Sequence, residues 1–76
     1  MKSEKTMNMI NDPTSSNISS FGYEESNQVL RVEFKNGSLY EYFDIPEFVF
    51  EGMKNAGSRG QYLAQNIKGI YRYARV

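Results

Sequence analysis

The chain has 76 residues, and its nine basic and nine acidic side chains give a net charge of zero that hides a division: residues 1–51 hold all nine acids and four bases, a balance of −5, whereas residues 52–76 hold five bases and no acid, +5. This length allows one small domain, which buries only about 60% of the surface its unfolded chain exposes. Cys and His are absent, which excludes disulfides, thiolate metal sites, and the usual general base and transition-metal ligand.

Residues 1–14 are rich in Asn, Ser, Thr, Lys and Met, include Pro13 and show no sustained period, so they are expected to be a flexible leader outside a folded part over 15–76. The other reading makes them an arm that orders against a partner chain, with Met7, Met9 and Ile10 as apolar handles. Residues 17–23, with Ile18, Phe21 and Tyr23, predict a first strand. Residues 28–35 alternate Leu30, Val32 and Phe34 against Arg31, Glu33 and Lys35, and Asn36-Gly37 turns them onto a strand over 38–43.

Loop length fixes which side chains share a face, because a slip of one residue flips a whole strand. A two-residue loop at Asn36-Gly37 would set Val32 opposite Glu41 and put a carboxylate on the apolar face. The three-residue loop Lys35-Asn36-Gly37, with Gly37 left-handed, pairs Val32 with Tyr40, Leu30 with Tyr42 and Arg31 with Glu41, and it is the one expected.

Pro46 suits a first helical turn, and Asp44, Glu47 and Glu51 complement the positive end of the dipole. Ile45, Val49, Met53 and Ala56 recur at helical spacing, and Gly57 is expected to end that helix. Ser58-Arg59-Gly60-Gln61 matches a capping box opening a second helix, with Leu63 and Ile67 inward. Residues 70–76 alternate again and predict a short closing strand. The expected fold class is α+β: a small antiparallel β-meander of three strands and a short fourth, with two α-helices packed on one face.

The helix start at Ser58, Arg59 and Gly60 is the candidate phosphate site: unpaired N–H groups converge there, Gly60 would admit a ligand to the backbone, and Arg59 would grip oxygens bidentately. The plainer alternative is a cap with a solvated Arg. Tyr71-Arg72-Tyr73, with Tyr62, would stack bases while Arg72 and Lys68 meet phosphate. The lack of any acid nearby in sequence leaves Arg72 without a local partner and favours that role; against it, the tyrosines would be core-edge residues and Arg72 an exposed solubiliser. Five positive charges predict weak, salt-sensitive binding to a polyanion. The carboxylate pairs Asp44/Glu47 and Glu24-Glu25 lack any group to complete a mechanism.

The ordered series Ser16-Asn17-Ile18, Gly22-Tyr23, Leu30-x-Val32-x-Phe34, Gly37, Tyr40-x-Tyr42, Ile45-Pro46, Ala56-x-Ser58-x-Gly60-x-Tyr62, Ile67-Lys68 and Tyr71-x-Tyr73 resembles the KTSC domain, over residues 15 to about 73. That resemblance implies a domain named for the C-terminus of some lysyl-tRNA synthetases, also found as a stand-alone small protein in bacteria and their viruses, the phages. It implies RNA as ligand and carries over Ser58, Gly60, Tyr62, Lys68, Tyr71 and Tyr73. The chain departs from the family pattern at Leu63-Ala64, where Phe-Asn is frequent.

These features converge on a cytoplasmic, non-enzymatic binding module without cofactor or membrane partner, since no stretch is apolar enough to span a bilayer and residues 1–12 lack a signal-peptide core. Its expected ligand is RNA or another phosphate-bearing molecule. One alternative is a homo-oligomer, in a phage for example, that holds a signalling nucleotide between protomers. Another is a protein–protein module in which the −5 portion of one copy meets the +5 portion of the next.

Overall fold

Alternation and turn chemistry produce one antiparallel sheet in the computed structural model, which describes residues 8–76. Its strands are β1 (Ile10–Asn11), β2 (Ile18–Glu24), β3 (Val29–Phe34), β4 (Leu39–Tyr42) and β5 (Tyr73–Arg75), hydrogen-bonded in the order β1-β2-β3-β4-β5. Two helices, α1 (Glu47–Lys54) and α2 (Arg59–Asn66), intervene between β4 and β5. The α+β class is the one expected, with five strands in place of three or four.

The β3–β4 hairpin has the predicted register, Leu30 opposite Tyr42, Arg31 opposite Glu41 and Val32 opposite Tyr40. Gly37 makes it attainable: its φ of 92° is a conformation that costs glycine little, and its N–H closes onto the Phe34 carbonyl at 2.9 Å. Arg31 donates from Nε to Glu41 Oε2 at 3.0 Å on the face away from the helices. In β2, a bulge between Ile18 and Ser20 resolves the broken alternation of that segment. The extra residue lets Ile18 and Phe21, three apart, both face inward.

The core joins Ile18, Phe21, Leu30 and Val32 of the sheet to Ile45, Val49 and Met53 around α1 and to Leu63 and Ile67 at α2, each 6% exposed or less. Tyr23 closes one edge, its hydroxyl donating to the Ile45 carbonyl at 2.5 Å and its ring stacked on Phe50 at 4.8 Å. Burial, reinforced by Glu47 and Glu25, raises the Tyr23 pKa above the ordinary phenol value.

Two sequence expectations need correction. Of the expected leader over 1–14, residues 1–7, Met7 among them, lie outside the described residues, but Ile10–Asn11 pairs with Phe21 and Ser20 as an edge strand. Asp12 follows it and is 4% exposed. The segment has no period because a two-residue strand is too short to display one. Helix α1 stops at Lys54 with Asn55 as its C-cap, so Ala56 and Gly57 belong to the connection.

Candidate functional site

Three of the five positive charges of residues 52–76 have an acidic partner within the chain, and only the Arg59 pair is substantially buried. Lys54 lies 3.6 Å from Glu51, Arg59 Nη1 is 3.5 Å from Asp12 Oδ2, and Arg72 Nη2 is 3.0 Å from Asp44 Oδ2. Arg72 also lies over the Phe43 ring at 5.4 Å. Its partner acid was invisible to local inspection because the β4–α1 connection brings Asp44 there from 28 residues away. Lys68 and Arg75 have no ion-pair partner among the described residues.

The helix start at residue 58 borders a polar cleft of about 460 Å³ between α2 and the segment that runs from Asp12 to Asn17. Ser58 caps α2 as expected, its Oγ accepting from the Gln61 N–H at 3.3 Å. Arg59 does not reach outward. Its Nη2 donates to the Lys54 carbonyl at 2.9 Å, capping the C-terminal end of α1, and its guanidinium lies 5.2 Å over the Phe21 ring. Gly60 does not open the backbone to a ligand either: a Cβ there would meet Asn17 Oδ1 at 2.6 Å, so the Asn17 side chain occupies that approach. This corner joins the N-terminal segment to both helices.

A second cleft, about 650 Å³, opens at the hairpin end of the sheet, on the helix face. Leu30 and Val32 are fully buried there, but Phe34 and Tyr40 further along are only half covered because the helices do not reach them. Tyr73 on β5 is opposite Tyr42 in register and stands 60% exposed beside it. The result is a run of aromatic rings: Tyr40 lies 5.6 Å from Phe34 edge-on, 5.7 Å from Tyr73 and 6.4 Å from Tyr42, with Tyr42 and Tyr73 5.9 Å apart. Burial, with Tyr40 and Tyr73 as further causes, raises the Tyr42 pKa.

Polar groups rim these rings. Gly69, at φ 80°, turns the chain after α2 and leaves Lys68 on the rim. Across the cleft, Lys35 Nζ donates to the carbonyls of Ser15 and Pro13, and Asn36 and Ser38 come from the hairpin loop. Among the described residues, no carboxylate lines this cleft.

The structure therefore divides the predicted site residues. Ser58, Arg59 and Gly60 border the polar cleft, and Lys68 and Tyr73 border the aromatic one; the two clefts share Ser16 and Asn17. Tyr62 and Tyr71 pack against the core, Tyr62 with its ring over Gly52, and Arg72 lines neither cleft. Sequence reasoning missed Phe34, Tyr40 and Lys35 as lining residues. Their signal was present in Phe34 and Tyr40-x-Tyr42, but alternation assigns a face and cannot say where the covering helices stop.

Comparison with known proteins agrees with this architecture. Residues 14–76 match the family model of the KTSC domain. The chain is similar to a crystal structure of a KTSC domain protein from Yersinia pestis, with a TM-score of 0.86 and 29% identity over 93% of this chain and 99% of that one. It is 42% identical over 64 residues to a lysine–tRNA ligase of Nostoc punctiforme, covering 84% of this chain and 11% of the ligase, so it spans only a small part of that relative. It is also 40% identical over 63 residues to an uncharacterized protein of Stutzerimonas stutzeri, covering 82% of this chain and 89% of that protein. The five-stranded sheet with its two helices, matched over almost its full length in sequence and in structure, belongs to the KTSC domain family.

Proposed function

We propose that this KTSC domain is a non-catalytic module that binds single-stranded RNA in the aromatic cleft. One observation carries the reading: exposed Tyr73 and half-buried Tyr40 and Phe34 form a stacking platform rimmed by Lys35 and Lys68, with no acid in the lining among the described residues. Aromatic faces accept any base, and ammonium groups beside them meet the phosphates that link one base to the next. A cleft of about 650 Å³ on one protomer holds a base without a second copy. The similarity to part of enzymes named for tRNA supports RNA as the polymer.

This reading moves the interface from the helix start at Ser58 to the hairpin end of the sheet. Arg59 is committed to Asp12, and Arg72 lies outside the cleft in a surface pair with Asp44, whereas Lys68 lines the cleft and has no ion-pair partner among the described residues. With two lysines on the rim, affinity is modest and falls with salt.

Fluorescence anisotropy with labelled single-stranded RNA at low salt tests the proposal. Expected is saturable binding that Tyr73→Ala weakens by about fivefold or more, the scale of one lost base–aromatic stack. No change in anisotropy for any single-stranded RNA overturns it. A mononucleotide that binds as tightly as the oligomer assigns the cleft to free nucleotides instead.

A further inference from the structure

The side chains around the aromatic cleft are biased toward hydrogen-bond donors. Lys68 carries only donors, and so does Lys35, two of whose protons are directed to the Ser15 and Pro13 carbonyls. Asn36 could in principle present either end of its amide. Its Oδ1, however, accepts from the Ser38 N–H at 3.0 Å and from the Ser38 hydroxyl at 2.6 Å. A backbone N–H can only donate, so the oxygen is fixed in the loop and the NH₂ group is the free end. Asn36 is exposed, and no acceptor for that NH₂ exists among the described residues. The other amide of the lining, Asn17, has its Oδ1 accepting from the Ser15 hydroxyl at 3.2 Å; the rest of the polar side chains are Ser and Tyr hydroxyls, which adapt to either role, and among the described residues there is no carboxylate.

From this we infer that the cleft selects bases that present carbonyl oxygens, uracil and guanine, over bases that present exocyclic amines at the same position. The inference rests on the RNA-binding reading above and adds to it a base preference with a named determinant, Asn36. Uracil O4 accepts from the Asn36 NH₂ or a lysine. Cytosine, the same size and similarly stacked, places an N4 amine there, and two donors face each other without an acceptor. Unpaired bases in single strands expose these edges, which is how proteins read RNA sequence.

The experiment compares the binding of oligouridylate and oligocytidylate of equal length to the intact chain and to Asn36→Asp. The aspartate keeps an oxygen for the Ser38 N–H, so the loop is retained, while the free donor becomes an acceptor. Its added negative charge weakens both oligomers alike and cancels in their affinity ratio. The wild-type chain is expected to favour oligouridylate by about fivefold, the lower end of what a good base contact discriminates. Asn36→Asp is expected to bring the ratio to one or below. Equal wild-type affinity for the two oligomers overturns the base preference and leaves RNA binding intact. A preference that Asn36→Asp does not change overturns the assignment to Asn36, and failure to bind either oligomer overturns both the preference and the reading beneath it.

Discussion

Arg59 lies against Asp12, Nη1 to Oδ2 at 3.5 Å, and through that contact the segment after β1 is held to the start of α2. Asp12 is 5% exposed in its side chain and Arg59 25%, so water screens this pair far less than the surface pair of Arg72 and Asp44 at 75% and 72%. The same guanidinium covers Phe21 and caps α1. Its role is to unite three elements.

Arg59→Ala should therefore destabilise the fold by about 2 kcal/mol, below the usual cost of breaking a fully buried pair because the Arg is a quarter exposed. Urea unfolding followed by circular dichroism measures this. Arg72→Ala should change stability by less than about 1 kcal/mol. RNA affinity of the folded Arg59→Ala protein should stay within about twofold of wild type, the reverse of what a phosphate-gripping Arg would give.

Lys68→Ala should lower RNA affinity and reduce the slope of log affinity against log salt by about one unit, as expected for one lost phosphate contact. Arg72→Ala should leave that slope unchanged. Anisotropy titrations across a salt series distinguish Lys68 on the cleft rim from Arg72 outside it.

Gly52 and Tyr62 set the approach of the helices. A Cβ at Gly52 would lie 2.8 Å from Tyr62 Cζ, well inside van der Waals contact. An exposed Gly→Ala change within a helix ordinarily stabilises by about 1 kcal/mol; here Gly52→Ala should destabilise by about 1–2 kcal/mol. In a double-mutant cycle, adding Tyr62→Ala should recover part of that loss and give a non-additive coupling.

Alkaline pH should weaken the fold through two tyrosines. Tyr23 and Tyr42 both have pKa values raised in the folded state above the ordinary 10.0. Above that value the unfolded chain releases phenolic protons that the folded chain still holds, so the unfolded state is favoured progressively. Their stabilisation is complete below pH 10 and is lost as pH rises through the folded-state values. Unfolding free energy measured by urea titration from pH 8 to 11 should fall, and Tyr23→Phe should flatten the decline. At pH 7 the same variant should lose about 1 kcal/mol with the hydrogen bond to Ile45.

The hairpin was legible residue by residue, because Leu30, Val32 and Phe34 alternate, Gly37 permits the left-handed turn, and only one register keeps Glu41 off the apolar face. Ser58 was legible as a cap, since its hydrogen bond closes within three residues. These are local effects, decided by dihedral preference and side-chain period. What surrounds Ser58 was not local: Asp12, Phe21 and Lys54 meet Arg59 only once the sheet and both helices are in place.

The sequence by itself determined the fold class, the register of the β3–β4 hairpin, the order of the helices and the concentration of positive charge after residue 51. Tertiary structure alone decided which of those charges remain available. Folding matched Arg59 with Asp12 and Arg72 with Asp44 across long stretches of chain, and it ended the helices short of Phe34 and Tyr40. Pattern in a chain fixes the face on which a side chain lies, whereas partnership and cover depend on what the rest of the chain brings to that face.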